Sequence, residues 1–254
     1  MTAVVRPFLL AWQFLTAVPL SRHHHEPAPD ELAGSMVWYP LVGLVLGGLA
    51  AGADFLLAAW VSTEVASALV IALLTGLTRG LHQDGLADTL DGLAGGRTPV
   101  DRLAIMRDPR IGAIGATGLF VSLILRYAAL VSLPGAARFP VLLCLPAVGR
   151  WAMVMGSWST PYARAEGGLA APFLLHLSGS HVLGATILLG GVLYWEIGMS
   201  GTVMVMAMGI GISRALTVFY RRLFGGITGD ALGATNEVVE ILFLLAAPLL
   251  IGLP

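Results

Sequence analysis

The sequence contains no lysine, so all 14 of its basic residues are arginine. It has a single cysteine, Cys144, which excludes an intrachain disulfide and argues against thiol chemistry. Charged residues make up only 11% of the chain and hydrophobic residues 57%, a balance that excludes an ordinary soluble domain. The net charge of −1 argues against a general nucleic-acid-binding protein. The composition is that of a membrane protein with several spans.

Hydrophobic runs predict about seven membrane-spanning helices, because most are close to the length that crosses a bilayer core of about 30 Å. The runs are residues 37–60, 65–78, 111–133, 139–158, 182–197, 202–219 and 238–253. The run 8–18 is shorter, and we interpret it as an interfacial or re-entrant helix with Trp12 as an interface anchor. Gly48 and Gly52 have the spacing that lets helices pack closely in lipid. The consecutive histidines His23 to His25 cannot share a helix face, so they predict a solvated connector.

One stretch, residues 79–115, is rich in charge. It contains ten charged residues, namely Asp84, Asp88, Asp91, Asp101, Asp108, Arg79, Arg97, Arg102, Arg107 and Arg110. The first three acids are spaced four and three apart, which places them within about 60° of arc on one helix face. Carboxylates this close repel one another unless cations lie among them, and Mg²⁺ prefers oxygen ligands. Because arginine suits phosphate oxygens, the stretch predicts a site for a metal-bound phosphorylated substrate, with a solvated surface helix as the plainer interpretation.

Arginine placement predicts the orientation of the chain. With residues 79–110 in the cytoplasm, alternating spans leave ten arginines inside and only Arg138 outside, in agreement with the bias of basic residues toward the cytoplasm. Arg126, Arg150 and Arg214 fall within spans, where an arginine lines a cavity or pairs with an acid. For Arg126 we consider snorkelling to the interface or a pair with Asp54. The same alternation places residues 161–164 and 225–236 on the cytoplasmic face beside 79–110.

Three blocks of this sequence resemble those of a known family. They are RGLHQDGLADTLDG at 79–92, IMRDPRIGAIG at 105–115 and GGITGDALGATNEVVE at 225–240. In this order and spacing they are similar to the blocks of the cobalamin synthases, also called adenosylcobinamide-GDP ribazoletransferases. The likeness extends over essentially the whole chain. Pro109 departs from it, because a small polar residue is expected there, and this affects only the local geometry.

The resemblance implies an all-α, polytopic transmembrane helical bundle, with the spans above, a short N-terminal helix and cytoplasmic half-helices. Residues 1–254 then form a single integral-membrane catalytic domain, with its active site mainly from 79–115, 150–168 and 221–240. The implied reaction joins adenosylcobinamide-GDP to α-ribazole, or its 5′-phosphate, with Mg²⁺, and gives adenosylcobalamin, or its 5′-phosphate, and GMP. The implied location is the bacterial cytoplasmic membrane, with membrane lipid as a partner and the active site facing the cytoplasm. The oligomeric state stays open, a homo-oligomer included.

We assign residues of these blocks, together with Arg150 and Arg164, to three tasks. The predicted metal ligands are Asp84, Asp88, Asp91 and Asp230, and proton transfer falls to Asp84, Asp88 or His82. The residues predicted to contact substrate are Arg79, Arg107, Asp108, Arg110, Arg150, Arg164, Glu237 and Glu240. On an ideal helix His82 points away from the acids, so we prefer a carboxylate as the base. Two plainer roles stay open: Glu237 and Glu240 as charges at the positive end of the last helix, and Asp230 as a helix cap.

Two other functions compete with this interpretation. CDP-alcohol phosphotransferases also carry Asp-Gly and spaced aspartates on membrane helices, but their signature has Ala-Arg shortly after the first Asp-Gly, whereas here Asp88 follows Ala87 directly. A transporter would spread its charges across the bilayer midplane and often shows an internal repeat, which we do not find. Here the motifs gather on one face, which favours the enzyme.

Overall fold

Helices make up almost all of the computed structural model, which describes residues 5–20 and 27–250. The α-helices are α1 (Val5–Leu15), α2 (Pro29–Ser35), α3 (Tyr39–Leu57), α4 (Thr63–Thr78), α5 (Leu81–Gly95), α6 (Pro99–Ile105), α7 (Ala113–Ser132), α8 (Gly135–Ser157), α9 (Ala171–Leu175), α10 (Gly179–Phe224) and α11 (Gly229–Leu250). A 3-10 turn, Met36–Trp38, joins α2 to α3. Over the residues described there is no strand, only an isolated bridge between Tyr162 and Ile227. The predicted all-α class is confirmed.

Several of these helices are long and apolar enough to cross a membrane. By length and composition, five described segments qualify, namely Pro29–Leu57, Ala113–Ser132, Gly135–Ser157, Gly179–Phe224 and Gly229–Leu250. A sixth is the bent pair of α4 and α5. The chain is therefore a multi-pass membrane protein, and the exact count of about seven spans stays a prediction.

Helix α8 forms the centre of the bundle, with 83% of its most apolar window buried. Helix α3 approaches it at two glycines, because a β-carbon on Gly43 would lie 2.4 Å from Ala147 Cα, and one on Gly47 2.1 Å from a backbone oxygen of α8. The close pair, Gly43 and Gly47, thus precedes the predicted Gly48 and Gly52 by five residues and lies on a different face of α3. A β-carbon on Gly52 would meet nothing within 4 Å, so within the described structure the close approach is not at the predicted pair.

Helix α10, with 46 residues, is a hairpin rather than one straight rod. Gly198 lies in its middle with φ 71° and ψ −179°, a conformation that favours glycine. The two arms meet the same side chain of α8: Trp151 Nε1 donates to Thr186 Oγ1 over 2.9 Å, and a β-carbon on Gly209 would lie 2.5 Å from the Trp151 ring. The chain therefore reverses at Gly198, between the predicted runs 182–197 and 202–219.

A sharp turn between α4 and α5 directs the acid-bearing helix across the bundle. The two helices meet at 86°. Both linking residues adopt left-handed conformations, Arg79 with φ 53° and Gly80 with φ 67°. The Gly80 amide donates to Thr75 O over 2.9 Å and ends α4. Because α5 is turned in this way, its acids lie at one end of α4 and do not continue its line.

A buried ion pair joins α3 to α8 near the opposite end of α4. Arg138 Nε and Nη2 donate to the two carboxylate oxygens of Asp54 over 2.9 and 2.5 Å, and Nη2 also reaches Ser67 Oγ over 3.1 Å. The predicted pair of Asp54 with Arg126 is wrong. Helix α8 begins at Gly135, four residues before the predicted start, and its first turn carries Arg138 into the bundle.

The N-terminal helix packs against the bundle through its aromatic residues. Trp12 is buried and its indole N–H donates to Val18 O over 2.8 Å, so its predicted place at the lipid–water interface is wrong. Phe14 packs on Phe173 of α9 at a ring-centroid distance of 4.5 Å. The predicted histidine connector lies outside the described residues.

Candidate active site

The first and third sequence blocks are in backbone contact. A β-carbon on Gly85 of α5 would lie 2.7 Å from Asp230 O at the start of α11, so only glycine permits this approach. Gly233, about one turn after Asp230, packs closely on α5 as well, because a β-carbon on Gly233 would lie 3.3 Å from His82 Cα. The Asp-Gly step of the first block thus places the acids of α5 beside Asp230, although the residues are far apart in sequence.

Two acids on α5, Asp84 and Asp88, have no partner among the residues that the structure describes. Asp84 is exposed and Asp88 half-buried, and neither carboxylate has a hydrogen bond or ion pair with any residue described. Asp91 and Asp230 lie near enough for their negative charges to act on Asp88, together with that of Asp84, and Arg164 opposes them. A cation bound among these carboxylates would reduce their mutual repulsion.

Asp91 holds the second block to the first. Its two carboxylate oxygens accept hydrogen bonds from the Gly112 and Gly115 amides, each over 2.7 Å, at the start of α7. A β-carbon on either glycine would come within 2.4 Å of Asp91. The glycines of the second block thus make room for this carboxylate, which caps the positive end of α7. Helix periodicity alone did not reveal that task.

Asp230 forms an ion pair and does not cap its helix. Arg164 Nη2 donates to Asp230 Oδ2 over 2.9 Å. A free amide in the first turn of α11 is satisfied by another residue, because Ala231 N donates to Thr228 Oγ1 over 3.1 Å. Thr228, and not Asp230, therefore caps the start of α11. Its side chain remains on the face where α11 meets α5.

The arginines of the second block already have acidic partners. Arg110 Nε and Nη2 donate to the two oxygens of Asp108 over 2.9 and 2.7 Å, and Arg107 pairs with Glu166. The hydrogen bonds from Arg110 lower the pKa of Asp108 to about 2, so that pair stays ionised at every physiological pH. Asp108 and Arg110 line a cavity of about 600 Å³ that also includes Asp91 but not Asp84. The second block therefore lies next to Asp91 and outside the cavity that Asp84 lines.

Four ionised residues form a buried network between α7, α8 and α11. Arg126 Nη1 and Arg150 Nη1 donate to the two oxygens of Glu240, each over 2.7 Å, and Arg126 Nη2 lies 2.8 Å from Glu237 Oε2. All four side chains are at most 6% exposed. Helix α11 begins at Gly229, nine residues before the predicted start, so the glutamates lie two turns inside it and their suggested capping role is wrong.

His82 belongs to that buried region. It is 2% exposed, and its Nε2 has no partner among the residues described. It lines a polar cavity of about 20 Å³ with Arg126 and Arg150, a volume that one water molecule fills. Asp84 lines a different cavity, so the helix places His82 and Asp84 on separate sides of α5, as its periodicity predicts.

A large cavity, with a volume of about 1100 Å³, lies between α1, α4, α5 and α7. Asp84, Arg79 and Gln83 lie on its wall. Arg79 donates to Ala17 O over 3.2 Å and has no ion pair with any described residue, which leaves its charge available. The sequence analysis missed this cavity. Its signal is the series of small residues Ala68, Ala72 and Gly76 along one face of α4.

The donor set suits a hard divalent cation that relies partly on its substrate. Across the residues described, no group of three or more histidine, cysteine, aspartate or glutamate side chains is arranged to hold a metal ion. Mg²⁺ commonly binds through one or two carboxylates and completes its shell with water and substrate phosphates. Asp84 and Asp88, whose carboxylates no described residue contacts, fit that mode of binding.

Comparison with known proteins identifies the family. The model of a family described as cobalamin-5-phosphate synthase matches residues 7–248. An adenosylcobinamide-GDP ribazoletransferase of Syntrophobacter fumaroxidans is 42% identical, covering 86% of this chain and 88% of that protein. Proteins of the same name from Desulforamulus reducens (93% and 94% covered) and Ectopseudomonas mendocina (94% and 97%) are 37% and 40% identical. No solved structure matches. The chain belongs to the cobalamin-5-phosphate synthase family and is an enzyme that transfers a group in cobalamin synthesis.

Proposed function

We propose that the chain is an Mg²⁺-dependent adenosylcobinamide-GDP ribazoletransferase. It joins adenosylcobinamide-GDP to α-ribazole, or its 5′-phosphate, and releases GMP. The names of the relatives support the reaction, and one observation in the structure carries the assignment of the site. Asp84 and Asp88 are acids without partners among the described residues, and Asp84 shares the wall of a large cavity with Arg79, which has no ion pair with any of those residues.

The reaction is a displacement at phosphorus. A ribose hydroxyl of the acceptor attacks the cobinamide-linked phosphorus, the new P–O bond forms, the bond to the GMP oxygen breaks, and the hydroxyl proton passes to a base. Such a transfer depends on alignment and on neutralising negative charge more than on covalent catalysis. Mg²⁺ held by Asp84 and Asp88 would supply that neutralisation.

The chain's own residues divide the remaining tasks. Arg79 binds phosphate oxygens, because its guanidinium has no acidic partner among the described residues, whereas Arg107, Arg110 and Arg164 have one each. Asp230 adds negative charge beside Asp88. A carboxylate of α5 accepts the proton in preference to His82, which lines the separate buried cavity. Asp91 is omitted from the proposed metal ligands because both of its oxygens already accept amide hydrogen bonds.

Release of GMP tests this function directly. Purified protein in detergent, given adenosylcobinamide-GDP, α-ribazole and Mg²⁺, is expected to form GMP and the joined corrinoid in equal amounts. Omitting α-ribazole is the control for simple hydrolysis. A preparation that releases CMP from a CDP-alcohol, and no GMP, would instead be a CDP-alcohol phosphotransferase.

We also propose that α5 faces the cytoplasm of a bacterial cell, because the arginine distribution favours that orientation. A cysteine at Thr98 should then be protected from a membrane-impermeant thiol reagent added to intact cells, and a cysteine at Ala136 should react. Both positions are exposed, whereas the native Cys144 is buried and contributes little background. Labelling at 98 with protection at 136 would reverse the orientation.

A further inference from the structure

The cavity beside Asp84 is a long slot with one polar end. On α4 its wall runs from Ala68 to Arg79, a rise of about 16 Å. The facing wall comes from α7 and is lined by Leu119, Leu123 and Tyr127. Arg79 and Asp84 lie at the end where α4 turns into α5. The slot therefore suits a molecule with an apolar body and a polar end that reaches the proposed site of reaction.

Gln83 helps to form the polar end of the slot. Its Nε2 donates to Thr75 Oγ1 over 3.2 Å, which fixes the orientation of the amide. Both residues line the slot, so a ligand hydroxyl next to the reacting group would meet polar side chains there.

The two substrates differ in how well their chemical groups match the lining of the slot. Guanine has several donors and acceptors on its edges, and the apolar walls of α4 and α7 offer them few partners. The corrin ring is broad and carries amide groups around its rim. The dimethylbenzimidazole base of α-ribazole is flat and apolar, and its ribose carries hydroxyls. The acceptor thus matches both the walls and the polar end of the slot.

We infer that this cavity binds the aromatic nucleoside acceptor, with its base between α4 and α7 and its ribose beside Gln83, so that a ribose hydroxyl reaches Asp84. The inference rests on the proposed function and assigns a location to one of its two substrates. It also gives a role to the small residues of α4, since Ala72 and Gly76 leave the width that a planar ring requires.

Filling the slot from Gly76 tests this location. Gly76 lies on the cavity wall and a β-carbon there would meet nothing within 4 Å, so Gly76→Trp is expected to direct its ring into the cavity. We expect the KM for α-ribazole to rise about tenfold or more, and the KM for adenosylcobinamide-GDP to change less than about twofold. Equilibrium dialysis of labelled α-ribazole without Mg²⁺ should show the same loss of affinity.

Gly52→Trp is the matched control, because this helical glycine also meets nothing within 4 Å and does not line the cavity. Gly76→Ala and Gly76→Leu should give graded increases if the tryptophan variant fails to fold. Unchanged α-ribazole affinity in the folded variants, or a rise in the KM of the corrinoid instead, would overturn the location. Failure of the proposed function is a separate result, because it appears as no GMP release from the unaltered protein.

Discussion

Asp88→Asn is expected to lower kcat by about 10²- to 10³-fold while the protein remains folded. The substitution keeps the shape of the side chain and removes its charge. Because Asp88 has no hydrogen bond or ion pair with described residues, no structural contact is lost, and the missing charge affects only what binds to the site. The measurement is GMP release at saturating concentrations of both substrates, over a range of Mg²⁺ concentrations. We expect the same result for Asp84→Asn.

Asp91→Asn provides the contrast on the same helix. Its amide can accept only one of the two hydrogen bonds from Gly112 and Gly115, so we expect a loss of about 1–2 kcal/mol in the free energy of unfolding. At low temperature its kcat should stay close to that of the unaltered protein. If Asp88→Asn lost only stability, or Asp91→Asn lost turnover by the larger factor, the assignment of the two acids would be reversed.

Arg126→Met is expected to destabilise the protein by about 3–5 kcal/mol, the largest effect on folding among these variants. The substitution leaves Glu237 and Glu240 with only Arg150 between α7, α8 and α11. An uncompensated carboxylate inside a membrane helix has neither water nor a counter-ion to stabilise it. Thermal unfolding of the purified protein in detergent, followed by circular dichroism, measures the loss.

A second substitution separates charge from packing. Arg126→Met combined with Glu237→Met restores a neutral cluster, because Glu240 keeps its partner Arg150 over 2.7 Å. The double variant should therefore be more stable than Arg126→Met alone, and the Glu237→Met single variant completes the cycle that gives the coupling between the two residues. Equal stability of the single and double variants would show that packing, and not charge, determines the cost.

Sequence reasoning was most successful where one helix face determined the answer. The spacing of Asp84 and Asp88 placed both on a common face, and the same periodicity placed His82 on the other side of α5. It also indicated that the first and third blocks would meet, which the contact of Gly85 with Asp230 shows. The first two inferences depend on local helix geometry, and the third depends on the alternation of the spans and the placement of the arginines.

The partners of the charged residues could not be predicted in the same way. Asp91 shares the face of Asp84, but the approach of α7 decides that its oxygens accept amide hydrogen bonds. Asp54 pairs with Arg138 and not Arg126, because α8 begins earlier than its hydropathy indicated. The cavity that we propose to bind the nucleoside lies between α1, α4, α5 and α7. Each outcome depends on packing between segments that are distant in the sequence. Hydrophobic periodicity predicts which face of a helix is buried, but not which helix packs against that face.

The turn at Arg79 and Gly80 also affects the surrounding lipid. Helix α4 has 16 residues and rises about 24 Å, whereas α7 with 20 residues rises about 30 Å, the usual thickness of the hydrocarbon core. Helix α4 is therefore about 6 Å shorter than α7, and acyl chains around α4 are expected to shorten or tilt to match it. Such thinning would bring the lipid headgroups toward the turn and so toward Asp84. Next to the hydrocarbon the effective dielectric constant is lower than in water, which strengthens the attraction between arginine, metal and phosphate.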